Sequence, residues 1–308
     1  MKVLDLRFQG AERVIASFLL DSGEGPVLVE TGPESCYPRL VEALRAEGVA
    51  PEEVRHVFVT HIHLDHAGAA WRLAELGATV YVHPRGAPHL VDPSRLLASA
   101  ERIYGDQLKA LWGEVRGIPE ERVRLLADGE VVALGGLEVQ AVETPGHASH
   151  HHAYRVGDLV FTGDVAGVRI APGPVLPPTP PPDIHLESWY ASLDRLLSLR
   201  PKALYLTHFG AYEDVEAHLQ GLKGVLEAWA GWVLHRLKEG LSEEEMVRRF
   251  EAYWHEGLRG AGVDEAGMRL YALADPPFMN LQGLVRYWRK HHPEALEGEV
   301  RPLRLGRP

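Results

Sequence analysis

The sequence predicts a layered α/β fold followed by an all-helical extension, on three observations. Strand-like and helix-like segments alternate through roughly the first two hundred of 308 residues, the rhythm of a sheet covered by helices. From Tyr212 onward strand signals stop and apolar residues recur at helical spacing. Four segments that read as strand ends run directly into His or Asp, where the loops of α/β sheets converge on ligands.

The elements follow in order. Residues 13–20 are a short apolar run, 21–25 a turn and 26–30 a second strand, so the three read as a hairpin. Residues 37–47 have helical spacing, and 54–60 are a strand rich in β-branched residues. Residues 67–76 are helical and 79–82 return to strand. The stretch 86–117 carries Pro, Tyr and Trp with weak helical periodicity, and reads as a helical insertion of the kind that lines a pocket. Segments 130–134 and 137–143 flank Gly135-Gly136 as a hairpin, and 152–156 and 159–162 flank Gly157-Asp158 as another. Proline density excludes helix and central strand from 171–183, leaving an extended loop over the site. An amphipathic helix at 186–199 and a last short strand at 203–207 complete the α/β part. Helices then cover 215–237, 242–253 and 281–291, with Ser242 as N-cap and Glu245 three residues on. The chain therefore divides into residues 1–211, with the insertion at about 86–117, and a helical extension over 212–308.

Composition narrows the function classes. Hydrophobic content of 45% and charged content of 24% describe an ordinary globular protein. A net charge of −11 disfavours nucleic acid as partner, because phosphate binding draws on a basic face. The single cysteine, Cys36, excludes an internal disulfide framework and a Cys-rich zinc knuckle, and no His–Asn pattern marks it as a nucleophile. No apolar run resembles a signal segment or spans a bilayer, so the expectation is a cytoplasmic protein with no membrane partner. Histidine, at 17 copies, is unusually frequent, and neutral imidazole is the commonest metal ligand.

The decisive segment is His61-Ile62-His63-Leu64-Asp65-His66, directly after the strand ending at Thr60. Residues two apart in extended backbone face one side, so His61 and His63 can grip one ion together. A turn into the helix at Ala67 aims Asp65 and His66 at a neighbouring position. Downstream, Thr144-Pro145-Gly146-His147, Phe161-Thr162-Gly163-Asp164 and Leu206-Thr207-His208 each end a strand with a metal-type ligand. Singly these three are weak; their order and strand-end placement, beside the first motif, are strong.

With these motifs the sequence resembles the metallo-β-lactamase superfamily, in particular its glyoxalase II-like metallo-hydrolases, over roughly residues 1–210. The resemblance implies an αββα sandwich with the metals at one edge of two sheets. It implies that His61, His63 and His147 bind one metal, that Asp65, His66 and His208 bind a second, and that Asp164 bridges them. One departure stands out: the family's Asp-Thr-Gly after the second strand is Glu30-Thr31-Gly32 here. That carboxylate is expected to hold a ligand histidine, with its longer reach bearing on the first metal.

The ligand set suits two divalent ions, zinc first, with iron or manganese as alternatives. Two such ions share a hydroxide and lower its pKa towards ~7 for attack on a carbonyl or phosphorus. Asp65 and His66 are the catalytic candidates, Asp65 both binding the second metal and taking up a proton. The leading expectation is a dinuclear hydrolase of a small thioester, ester or lactone. One alternative is an endoribonuclease or phosphodiesterase, for which Arg286, Arg289 and Lys290 speak and the net charge speaks against. Another is a persulfide dioxygenase with one iron on His61, His147 and Asp164.

Other residues have plainer readings. Of His150, His151 and His152, strand alternation turns at least one away from the metals; His185 is a weaker candidate for contact with the site. His56, His83 and His89 read as structural and Tyr212 as packed. Trp229, Trp232, Tyr253 and Trp254 read as core of the extension or as a homodimer contact.

Overall fold

The computed structural model describes residues 1–297; residues 298–308 of the predicted extension lie outside the described residues. The first sheet is built in chain order from β1 (Lys2–Asp5), β2 (Ala16–Asp21), β3 (Pro26–Val29), β4 (His56–Phe58), β5 (Thr79–Val82) and β6 (Val123–Leu125). Its first two pairings are antiparallel and its last three parallel. The second sheet has β7 (Val131–Leu134), β8 (Leu137–Glu143), β9 (His152–Val156) and β10 (Leu159–Phe161). A two-residue ribbon, β11 (Val168–Arg169) with β12 (Val175–Leu176), intervenes before β13 (Ala203–Leu206) and β14 (Gly210–Tyr212) complete that sheet. The order across it is β14-β13-β10-β9-β8-β7. Because β8 and β10 both pair antiparallel with β9, and β10 pairs parallel with β13, these three strands end on one edge. The ends of β3 and β4, which run parallel to each other, belong to the same site.

Period-2 side-chain alternation makes the sandwich. In β2, Ala16, Phe18 and Leu20 face the second sheet, with Tyr154 and Phe161 opposite and Phe58 of β4 beside them, while Leu19 faces the helical layer outside. Phe58 stacks on Tyr81 at 4.3 Å, and each such buried aromatic contributes about 1.5–3 kcal/mol. Helices α1 (Tyr37–Ala46), α2 (Leu64–Ala67) and α3 (Ala70–Glu75) belong to the first sheet's outer face. So do α4 (Ala87–Val91), α5 (Ser94–Tyr104) and α6 (Leu108–Trp112), which occupy the stretch read as a helical insertion. Helix α7 (Leu186–Ser198) covers the second sheet, giving the αββα layering.

Among the described residues four further α-helices follow: α8 (Val215–Lys238), α9 (Glu243–Gly260), α10 (Glu265–Ala274) and α11 (Pro277–His291). Trp229, Phe250, Trp254, Tyr271 and Leu284 share one core with Val160, Leu204 and Leu206 of the second sheet. The extension's tryptophans thus pack on this chain's own sandwich. Among the described residues no helix is long and apolar enough to cross a membrane.

Several elements depart from the sequence expectation. Strands β1, β6 and β14 and helix α10 were not anticipated: the strands are three or four residues long, too short to show a period. The strand expected over 54–60 pairs only at His56–Phe58, so His61 and His63 lie in the loop beyond the ladder. The helix expected over 67–76 is two, and the first starts at Leu64, so Asp65 and His66 stand in its opening turn.

Candidate metal centre

Two glycines set the backbone geometry from which ligands project. Gly163, at φ +51, precedes Asp164, and a β-carbon there would lie 2.4 Å from Thr60 Oγ1 and 2.8 Å from His151 Nε2. Gly146, at φ +137, precedes His147, and a β-carbon would meet the Trp189 backbone at 2.4 Å. Only glycine combines that backbone with that closeness.

All seven side chains expected at the site come together. His61 Nε2 and His63 Nδ1 are 2.9 Å apart, and His147 Nε2 is 3.1 Å from the same His63 atom. Asp164 Oδ2 lies 3.3 Å from His147 Nε2 and 4.0 Å from His61 Nε2. Its other oxygen, Oδ1, lies 3.2 Å from His66 Nε2 and 3.6 Å from His208 Nε2. Asp65 Oδ2 closes that second group at 3.6 Å from His66 Nε2 and 3.3 Å from His208 Nε2. Two tetrads result, His61-His63-His147-Asp164 and Asp65-His66-Asp164-His208, each with its ligand atoms within 4.8 Å of one another.

Four of the imidazoles are anchored through Nδ1, which leaves Nε2 facing the cluster. His147 donates to the Pro178 carbonyl and His208 to the Val14 carbonyl, both at 2.8 Å. His66 donates to Glu30 Oε2 at 2.8 Å, and His61 Nδ1 lies 2.9 Å from Thr60 Oγ1. A carbonyl can only accept, so in His147 and His208 the proton sits on Nδ1 and the Nε2 lone pair is free to coordinate. His66 Nε2, His208 Nε2 and Asp164 Oδ1 are buried with no hydrogen-bond partner. Buried polar atoms are costly when unpaired. Their convergence, with this donor set, fits divalent cations.

The charge balance points the same way. Burial would raise both aspartates, but His66 and then His208 outweigh it for Asp65, whose carboxyl is held at about 2. His66, His147 and His208 hold Asp164 well below the usual carboxylate range. Burial lowers His61 and His147, and takes His63 down to about 4. For His66 burial is overridden by Asp164, Asp65 and Glu30, and for His208 by Asp164 and Asp65, so both are raised. Three carboxylates thus bear on the second tetrad, a field that calls for a cation.

Glu30 takes the role expected of it with a different partner. It holds His66, in the second tetrad, rather than a histidine of the first, while Oε1 accepts from the Thr60 N–H at 2.9 Å. Its backbone is in the left-handed region at φ 65, a conformation costing ~1–3 kcal/mol for a non-glycine residue.

The remaining histidines separate. His151 Nε2 accepts the Asp164 backbone N–H at 3.2 Å and its Nδ1–H donates to Thr144 Oγ1, so it positions Asp164. His150 lies edge-on to His63 at 5.7 Å, and His152 turns away to pair with His83 at 4.5 Å. His185 caps α7 by accepting the Ser188 N–H, outside the tetrads. Tyr212 donates to the Arg169 carbonyl at 2.6 Å, a packing role.

The tetrads open into a cavity of about 240 Å³. One wall is the insertion, through Leu96, Ile103, Leu111 and Trp112. The proline loop, through Pro178 and 180–182, and the α10–α11 corner, through Ala274, Asp275 and Met279, form the others. Among the described residues no lysine or arginine lines it. Sequence reasoning missed Asp275, which reaches the cavity from the helical extension with no motif around it.

A family model described as the metallo-beta-lactamase superfamily matches residues 10–208. A metallo-beta-lactamase fold-containing protein of Sulfurisphaera tokodaii is 31% identical over 175 residues, 55% of this chain and 66% of that protein. An atrochrysone carboxyl ACP thioesterase of Aspergillus fumigatus is 27% identical over 213 residues, 68% of this chain and 51% of that protein. The chain thus spans under two thirds of either relative's length. Among solved structures, a metallo-beta-lactamase superfamily protein of Sulfolobus tokodaii superposes with TM-score 0.65 at 24% identity, covering 88% of this chain and 93% of the other. A metallo-beta-lactamase family protein of Thermus thermophilus gives TM-score 0.68 at 22% identity, covering 90% and 89%. At these identities the solved structures show a shared fold.

Proposed function

The chain belongs to the metallo-beta-lactamase superfamily, and from that premise we propose that it is a dinuclear metal-dependent hydrolase of a small thioester, ester or lactone. The observation that carries this reading is Asp164, whose two oxygens face two complete tetrads at the head of an apolar cavity. His61, His63, His147 and Asp164 would hold one ion, and Asp65, His66, His208 and the other oxygen of Asp164 a second. When bound, such ions, zinc first among them, supply an activated water and stabilise developing negative charge.

The chain's own residues do the rest. Pro178, Val14 and Glu30 fix the tautomers of His147, His208 and His66. Asp65, its side chain 20% exposed and lining the cavity, is placed to take up a proton from the attacking water. The apolar walls exclude bulk water and hold the acyl part of the substrate. A wall without lysine or arginine favours a carboxylic ester or thioester over a phosphodiester. The basic residues Arg286, Arg289 and Lys290 line a separate recess with Glu243. The kinship to a thioesterase adds support for a thioester.

Metal quantification on the purified protein, paired with a panel of thioesters, lactones and phosphodiesters, tests the reading. Two ions per chain and turnover of a thioester or lactone are expected, with His61→Ala losing both metal and activity. One iron per chain, or His61→Ala retaining full turnover, would overturn it.

A further inference from the structure

Among the described residues, Asp275 is the one buried carboxyl of the cavity wall that belongs to neither tetrad. It stands at the corner between α10 and α11, 3% exposed, in a lining otherwise made there of Leu273, Ala274, Pro276 and Met279. Its Oδ2 accepts from Asn280 Nδ2 at 2.8 Å. Asn280 in turn accepts the Thr179 N–H at 2.6 Å, and its carbonyl accepts the Thr179 hydroxyl at 3.0 Å, so the carboxyl is locked in place by the proline loop. Oδ2 is the oxygen this clasp occupies, and Oδ1 is the one left for whatever fills the cavity that Asp275 lines.

Resting on the hydrolase reading, we propose that the substrate's acyl group is an apolar chain bearing one oxygen function, and that Asp275 is the specificity-determining residue that hydrogen-bonds that oxygen. Leu96, Ile103, Leu111, Trp112 and Met279 provide the apolar bed for the chain. A chain without the oxygen would leave Oδ1 desolvated and unpaired, and a site built around a hydrogen bond rejects the analogue that lacks it. Burial first, with Asp164 and Asp65 adding to it, holds the Asp275 carboxyl well above the usual carboxylate range, which favours the protonated, donating form.

The test is calorimetric binding to the zinc-loaded protein of octanoic acid and of octanoic acids carrying a single hydroxyl at different carbons, alongside turnover of the matching thioesters. At least one hydroxylated acid should bind about tenfold or more tightly than octanoic acid. Asp275→Leu should erase that preference while holding octanoic acid at least as well. Asp275→Asn, whose amide keeps an N–H for the cavity and an oxygen for Asn280, should retain it. Equal affinity for every acid in the wild type, or an Asp275→Leu variant weakened equally for all, would overturn the proposal. A binding preference without turnover of any thioester, ester or lactone upholds the role of Asp275 and sinks the hydrolase reading; turnover without the preference does the reverse.

Discussion

The two tetrads share Asp164 but are built on different principles. The first, His61, His63 and His147, is made of imidazoles that burial lowers, held by a hydroxyl and a main-chain carbonyl. The second concentrates charge: Asp65 is a ligand candidate, Glu30 stands behind His66, and both imidazoles are raised. Neutral ligands can wait for an ion in a buried site at modest cost. A carboxylate-rich set depends on its cation, because like charges at short range are otherwise relieved only by protonation. The second position should therefore be the one that responds most to changes around it.

The sharpest way to break this comparison is to remove what the halves share. Asp164→Ala is expected to abolish activity and to lower metal content at both positions, measured by elemental analysis. A variant that kept one full equivalent would show that the tetrads are independent. Next in size is Glu30→Gln, which removes the charge behind His66 while keeping its shape. Metal affinity at the second position should fall roughly ten- to a hundredfold, with the first unchanged, read by competition with a chelator. Equal weakening of both would contradict the division drawn here. The smallest effect is the acid response of metal-free protein. His63 is lowered from 6.5 to about 4, burial first and His147 alongside. Between those values the unfolded chain binds a proton that the folded chain refuses, so this residue's contribution to stability is lost as pH falls through that window. Relative to His63→Gln, wild type should lose several degrees of Tm on acidification from 6.5 to about 4; an unchanged difference would refute the lowered imidazole.

Much of this was legible in the sequence because the chemistry is dense and local. His61 to His66 packs four ligand candidates into six residues, and the Gly-His and Gly-Asp pairs sit where strands end. The fold class followed from periodicity in the longer elements, such as β8 and α8. What was illegible depends on tertiary approach. Strands β1, β6 and β14 take their strand character from a neighbour rather than from their own pattern. That Glu30 serves His66 is a fact about where β3 ends relative to α2, 36 residues later in the chain. Asp275 reaches the cavity only because α10 and α11 fold back over the sandwich.

Asn280 clasps Thr179, and the residue before it, Pro178, holds His147 through its carbonyl. One short strap therefore belongs at once to the wall that meets the substrate and to the scaffold that orients a ligand imidazole. Anyone exchanging the terminal helices for those of a relative, in search of a new substrate range, would be retuning the metal chemistry in the same stroke. The two properties are inherited together unless the Thr179–Asn280 clasp is transplanted as a unit.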